Sequence, residues 1–324
     1  MYSAEPLPHF VDEYLAYLHE VHPTNATFDG IHLHDDLLED LSRQAVDGQV
    51  RDLGAFARRL AAIDPGRLTD VERLERPALE SSIRSRLFEL ERVRTWERNP
   101  QFYADIIATG LAGQALFDYA PLPQRARRIV SKLRQVPRLV QAAKDNIKDP
   151  PGIFVKVGLE SMRGTQRFID DDLPRAFSRL DDLHILGDLA DASTEASSAI
   201  GTYVEYLEKD LAPRSKGSFR LGRERFEEKL RLDDGLTLDA DRLLAIAMRE
   251  LAAQQEEFRR VASRVNGGDP RAAWEKTKAN HPPAGQLVST AQDQLGELVA
   301  FINKQRIVTI PEGAPVDVAP TPKF

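Results

Sequence analysis

Histidine is the residue type with the clearest chemical potential in this sequence, because four of its seven histidines fall within sixteen positions. These four are His19, His22, His32 and His34. Imidazole nitrogens are common zinc ligands. In the helical motif H-E-x-x-H, two histidines four residues apart hold the metal and the glutamate acts on a metal-bound water. The crowding of histidines therefore raises the hypothesis of a metal site.

The spacing of the first pair departs from that motif. The segment from His19 to His22 is one residue too short, and Pro23 ends the helix there because proline disfavours a helical conformation in the residue before it. We interpret this pair as partly exposed histidines at a helix C-terminus, where positive charge is favourable. An extended backbone would place His32 and His34 on one side, yet such loop residues are more often turn formers. We therefore assign no catalytic, cofactor-binding or metal-binding residues, and keep a histidine-based metal enzyme as a third hypothesis.

Nucleotide-binding and cysteine chemistry also find no support in the sequence. Gly217 and Gly222 have the glycine spacing of a Walker A loop, but Arg223 stands where that loop needs lysine and Glu224 where it needs a hydroxyl. Cysteine is absent from the sequence. This excludes disulfides, thiolate zinc sites and a cysteine nucleophile.

The charge of the chain argues against nucleic acid as a partner. The sequence has 44 Lys and Arg against 51 Asp and Glu, a formal net charge of −7, which does not favour binding to a polyanion. One group of basic residues recurs along an amphipathic helical segment without aromatic residues between them, which is typical of a solvated face. The group comprises Arg125, Arg127, Arg128, Lys132, Arg134 and Arg138.

The elements that carry these residues are predicted to be helices throughout, because apolar residues recur three and four positions apart in nearly every segment. Thr69 and Glu72 predict a capping box, and Pro77 predicts a kink or break in the helix that follows. The predicted fold class is all-α, with an irregular multi-helix domain over residues 1–305. Residues 306–324 contain four prolines and several β-branched residues, which predict an extended or short-stranded C-terminal tail.

The start of the chain indicates a cytoplasmic protein. The sequence MYSAEPLPHF has neither the basic region nor the apolar region of a signal peptide. The most apolar run, residues 106–117, is too short to span a membrane. We therefore expect no membrane partner.

Several short segments have a characteristic order and spacing. They are Pro23–His32, Tyr206-Leu207, Leu211–Pro213, Leu221–Phe226 with Leu230, Val308–Pro311 and Thr321–Phe324. In these segments the chain resembles the bacterial DUF885 family, whose members are helical and similar to zinc metallopeptidases of the gluzincin type. The resemblance covers the whole chain, although no single segment is a catalytic signature.

The resemblance implies that this chain corresponds to the N-terminal half of a longer protein. Family members typically carry an H-E-x-x-H type segment in the C-terminal half. This chain contains no H-E-x-x-H, and its last histidine, His281, is followed by two prolines. The family's zinc ligands and catalytic glutamate therefore carry over to no position here, and zinc is expected only in the complete family protein. On this interpretation Phe324 is a truncation point; a natural short form is the alternative.

The leading hypothesis implied by the resemblance is a non-catalytic helical portion of a zinc metallopeptidase. It would form one wall of a peptide-substrate cleft, with the missing C-terminal half as its partner. The alternative is a stand-alone helical domain that binds a partner or a small ligand without enzymatic activity. An uncovered cleft wall would expose apolar surface, so a homo-oligomer is also expected.

Overall fold

A computed structural model describes residues 6–266, 269–313, 316 and 318–320, without the side chain of residue 266. Within these ranges the chain forms α-helices and no strand, which confirms the all-α class. The helices are α1 (Leu7–Val21), α2 (Pro23–Phe28), α3 (Arg43–Ala62), α4 (Asp70–Phe88), α5 (Thr95–Arg98), α6 (Pro100–Leu116), α7 (Leu122–Leu133), α8 (Val136–Asn146), α9 (Gly152–Arg167), α10 (Leu173–Ala176), α11 (Leu183–Tyr206), α12 (Ala212–Arg214), α13 (Arg223–Asp234), α14 (Ala240–Asn266), α15 (Pro270–Lys278) and α16 (Leu287–Gln305).

Irregular turns interrupt this series of helices. Three π-helical turns continue directly from α4, α9 and α11, at Glu89–Val93, Phe168–Asp172 and Leu207–Leu211. Short 3₁₀ turns occupy Pro65–Arg67 and Ala284–Gln286. The described residues after α16 form neither helix nor strand, so the predicted short strand is not seen among them. The extended tail over residues 306–324 stays a prediction.

The chain divides into two compact units, the first ending at Ala240 and the second beginning at Asp241. The larger core of the first unit is formed by apolar residues of α6 to α11, and a smaller one by α1, α3 and α4. In the smaller core Phe10 meets Phe56 edge to face, with ring centroids 5.7 Å apart. In the described part of the second unit, Ala262 and Ala273 are the only buried apolar residues.

The beginning and continuation of α4 test two sequence predictions. The capping box is confirmed: Glu72 N donates to Thr69 Oγ1 at 3.3 Å, and Thr69 N donates to Glu72 Oε2 at 2.7 Å. The sequence predicted a kink or a break at Pro77, and the break is wrong, because α4 runs through this residue to Phe88. Pro77 is exposed, so water can satisfy the carbonyl that loses its partner. The helix is interrupted later, at the π-helical turn before Arg94, which has a left-handed φ of 59°.

None of the described helices combines the length and the apolar character that a membrane span requires.

Candidate functional site

A buried polar cluster joins the loop after α2 to helices α6 and α7, and Asp35 lies at its centre. The Asp35 side chain is 1% exposed and accepts hydrogen bonds from Thr27 Oγ1 at 2.6 Å and from Tyr119 OH at 2.7 Å. Arg128 forms an ion pair with the same carboxylate. His32 Nδ1 lies 3.0 Å from Asp35 Oδ2, and the His32 ring stacks on Tyr119 with centroids 3.9 Å apart. One acid therefore fixes four side chains of the loop and its supporting helices.

Glu39 and Lys132 form the second part of this cluster, and both are buried. Glu39 accepts a hydrogen bond from Thr24 Oγ1 at 2.7 Å and another from Thr24 N at 3.2 Å. Lys132 Nζ donates to the carbonyl oxygen of Gly110 at 3.0 Å. The lysine therefore ties α7 to α6, while the glutamate ties the loop to α2.

Burial is the largest influence on the pKa values of Lys132 and Glu39. It lowers the pKa of the Lys132 amine to about 8, against the opposing effect of Asp35 and Glu39. It raises the pKa of the Glu39 carboxyl, which its hydrogen bonds offset only in part. Burial also acts to raise the pKa of Asp35, but the hydrogen bonds and the guanidinium beside it outweigh that effect, and the pKa falls below its ordinary value. Asp35 is therefore held as the anion of the cluster.

Helix geometry explains how the sequence assembles these groups. Pro23 begins α2, a position that suits proline because the first turn of a helix has no use for its missing N–H. Thr24 and Thr27 are three residues apart and lie on the same face of α2. Arg128 and Lys132 are four apart on α7 and likewise share a face. Thr24, Thr27 and Arg128 thereby reach the loop between α2 and α3. Lys132 reaches the Gly110 carbonyl of α6.

The six basic residues predicted to form a solvated face differ in their exposure to solvent. Arg127, Arg134 and Arg138 are partly or largely exposed, as expected for a solvated face, whereas Arg125 and Lys132 are buried. Arg125 donates to the backbone carbonyl of residue 114 in the last turn of α6 at 3.0 Å. The prediction is wrong for the buried pair, because Arg125 pairs with Asp118 and with carbonyls at the end of α6 and in the loop after it, and Lys132 donates to the Gly110 carbonyl of α6. The spacing of positions 125, 128 and 132 on one helix face was the signal that could have revealed them.

The clustered histidines play separate roles. His19 Nε2 lies 3.9 Å from Asp29 Oδ2. His22 lies between α1 and α2, where burial, assisted by the charge of Arg86, lowers its pKa to about 4. Neither residue contacts the Asp35 cluster through a described hydrogen bond.

The second histidine pair lies at a turn, as the sequence favoured, and not on an extended backbone. Residues 33–36 form a turn, and the His34 carbonyl accepts a hydrogen bond from Leu37 N at 3.0 Å. His32 belongs to the Asp35 cluster, with its ring stacked on Tyr119. The turn therefore removes the geometric basis for holding one ion between His32 and His34.

A zinc site needs several ligating side chains close together. Within the described ranges, no three His, Asp or Glu side chains form a group that could hold a metal ion. The residues that the structure describes therefore do not fit zinc, and the histidine-based metal enzyme gains no support from the geometry.

A groove of about 460 Å³ lies next to Glu39, between the start of α3 and the face of α8. Its apolar lining includes Leu41, Leu139 and Ala142. Charged side chains of both signs line it as well: Glu39, Asp40, Arg43, Glu97, Arg138, Asp145 and Lys148.

Two ion pairs belong to the groove. Arg138 Nη1 lies 2.8 Å from Asp40 Oδ2, and Arg43 Nη1 lies 3.0 Å from Glu97 Oε1. The Arg43 guanidinium also lies over the Trp96 ring, 5.1 Å from its centroid. The groove therefore offers apolar contacts together with donors and acceptors, and a nearby tryptophan.

Comparisons with known proteins give a fold relative and a family. One solved structure, described as "a putative lipoprotein of unknown function from Shewanella oneidensis", matches with a TM-score of 0.74 and 22% sequence identity. The match covers 95% of this chain and 59% of that one, so this chain spans less than two thirds of the length of that protein. No curated protein matches in sequence. The family model for DUF885, described as a bacterial protein of unknown function, matches residues 23–324. This match confirms the resemblance, and the chain belongs to the DUF885 family.

Proposed function

We propose that this chain is the non-catalytic helical portion of a DUF885 zinc-dependent peptidase, and that the groove beside Glu39 forms part of one wall of its peptide cleft. The groove is the observation that supports this proposal. The solved relative contains additional chain, which leaves room for a catalytic portion in longer proteins of this fold. In the complete protein, zinc would activate the water that attacks the peptide carbonyl. No residue of this chain is assigned to hold zinc.

The lining of the groove suits a peptide better than a wholly apolar ligand. Leu41, Leu139 and Ala142 offer apolar contacts for side chains. Arg138 and Glu97 provide a donor and an acceptor for backbone groups or chain ends. Ligand sites of this size combine an apolar lining with a few polar groups that fix orientation.

Peptide binding by the 324-residue chain tests the groove directly. The probe is fluorescein-labelled oxidised insulin B chain, a peptide of mixed composition. The tryptophan fluorescence of a Trp274→Phe variant, in which Trp96 is the remaining tryptophan, gives a second signal. Arg138→Ala is expected to weaken binding by about tenfold, the effect of losing one charged hydrogen bond. Arg134→Ala is the matched control, because Arg134 makes an equally long 2.8 Å ion pair with Asp188 outside the groove. Equal affinities of the two variants would contradict the assignment of the groove.

Metal content and hydrolysis test the catalytic part of the proposal. The 324-residue chain is expected to purify without stoichiometric zinc and to leave the peptide intact. The product of the whole open reading frame is expected to contain an H-E-x-x-H segment, bind one zinc ion and hydrolyse the peptide. Stoichiometric zinc with hydrolysis in the 324-residue chain would overturn the proposal.

The same groove favours a second function, a stand-alone helical domain that binds a small ligand or a partner without chemistry. The groove requires no catalytic residue to bind a ligand. A stop codon directly after codon 324, with a stable monomer that still binds the peptide through Arg138, would favour this alternative. Sequencing the reading frame separates the two functions.

A further inference from the structure

Most of the apolar face of the longest helix in the second unit is exposed. Leu244, Met248, Leu251, Phe258 and Val265 of α14 are each between 42% and 59% exposed. Among the residues of α14 whose burial is described, Ala262 alone is buried. The helix has 27 residues and is therefore about 40 Å long. Exposed apolar residues aligned over this length mark an interaction surface.

The spacing of these residues indicates which kind of partner fits. Together with Gln255 and Ala262 they follow one another at alternating intervals of four and three residues, a sequence of seven that we call the α14 seam. Such a repeat keeps one row of side chains facing a second helix, whose side chains fill the gaps between them. A strand, with its period of two, has no matching row. The spacing therefore suits an α-helix as the partner.

The residues next to the α14 seam on either side indicate what size and charge a partner helix needs. Ala245, Ala247 and Ala252 are small and uncharged, so a second helix can approach closely. Arg259 is the one charged residue at a flanking position, and it has no ion-pair partner among the described residues. Positions flanking a seam set partner choice through charge. An acidic residue opposite Arg259 would complement the charge at this position.

We propose that the α14 seam docks an amphipathic α-helix from the part of the DUF885 protein that extends beyond the length of this chain. The solved relative of the same fold contains such additional chain, because this chain covers 59% of it. The inference rests on the proposed function and names the segment that the helical portion contacts. A membrane surface fits less well: α14 has five arginines against four acidic residues, without the strongly basic face of membrane-surface helices.

The absence of cysteine allows the seam to be tested with single reporters. Leu251→Cys places a thiol in the seam, and Glu256→Cys places one on the same helix outside it. Maleimide labelling rates are measured for both variants in the 324-residue chain and in the product of the whole open reading frame. The longer chain is expected to slow labelling at position 251 by at least about tenfold, a protection of 1.4 kcal/mol, and to leave position 256 within twofold. Adding Arg259→Glu is expected to reduce that protection, and circular dichroism checks that each variant stays folded.

Four outcomes would overturn the docking proposal. They are equal labelling of the two thiols in the longer chain, protection that grows with the concentration of the 324-residue chain, protection only by lipid vesicles, and a reading frame that ends at codon 324. The second outcome would assign the seam to a second copy, and the third to a membrane.

Zinc content and peptide hydrolysis are measured on the same preparations. A protected thiol without zinc or hydrolysis would reject the peptidase function and retain the docking. An unprotected thiol together with bound zinc and hydrolysis would reject the docking alone.

Discussion

Burying the Lys132 ammonium costs free energy that its acidic neighbours return only in part, because desolvation is the largest influence on its pKa. Asp35 shows the opposite balance, since hydrogen bonds and Arg128 outweigh desolvation there. The two groups differ in the number of partners that reach them. Lys132 donates one described hydrogen bond, whereas Asp35 accepts three and also forms an ion pair with Arg128. At this scale, the partners of a charged residue decide whether its burial stabilises the fold.

The low pKa of Lys132 predicts a stability that rises in alkaline solution. The folded pKa is about 8 and the ordinary value is 10.5. Below pH 8 both states hold the proton. Between about pH 8 and 10.5 the unfolded state binds more protons, so the free energy of unfolding rises with pH. The gain is about 3 kcal/mol at 1.4 kcal/mol for each pH unit.

Urea denaturation of the wild type and of Lys132→Met at pH 7.5 and pH 10.5 measures this gain. The stability of the wild type relative to the variant is expected to increase between the two values. Lys156→Met, at an exposed position of α9, serves as the control and should follow the wild type. Parallel pH profiles for the wild type and Lys132→Met would contradict the assigned role of the buried amine.

Asp35→Asn tests the anion at the centre of the cluster. The substitution keeps the shape of the side chain but leaves the Arg128 guanidinium without its acid, so the free energy of unfolding should fall by about 3 kcal/mol. Asp36→Asn changes the adjacent exposed carboxylate and should stay within about 0.5 kcal/mol of the wild type. Chemical denaturation at pH 7 compares the two, and equal losses would show that Asp35 is no more important than a surface acid.

At the scale of elements, the close approach of α6 to the loop before α3 depends on Gly110. A Cβ added there would lie 2.5 Å from Leu38 Cδ2, and Leu38 is itself buried. Gly110→Ala is therefore expected to destabilise the protein by about 1–3 kcal/mol through overpacking. Gly54 of α3 has only the Arg58 guanidinium nearby, at 3.6 Å, so Gly54→Ala should stabilise by about 0.5–1 kcal/mol through helix propensity. Thermal unfolding measures both, and a change of the same sign in both variants would contradict this account.

Local signals predicted the elements where the controlling interactions are local. The capping box at Thr69 lies within four residues and was predicted correctly. Pro77 also gave a local signal, but its exposure let α4 continue. The Asp35 cluster escaped prediction because Arg128 and Tyr119 lie more than eighty residues from the acid that they contact. Sequence patterns report periodicity and caps, whereas buried charge pairs depend on packing between distant helices.

At the scale of the whole molecule, burial is concentrated in the first unit. Every described buried apolar residue other than Ala262 and Ala273 lies at or before Leu211. Helices in proteins gain most of their stability from packing an apolar face. The α14 seam has the pattern of a packed helix, yet six of its seven residues are exposed and Ala262 alone is buried.

This distribution predicts two levels of local stability in the 324-residue chain. Amide hydrogens of α6 and α11, which surround the main core, should exchange only through global unfolding, whereas those of α14 should exchange through local opening. We expect protection to fall by several orders of magnitude between α11 and α14, because opening α14 exposes little additional apolar surface. Hydrogen exchange followed by mass spectrometry measures both helices in one sample. Protection of α14 equal to that of α6 at low protein concentration would mean that a partner within the 324 residues already covers the seam.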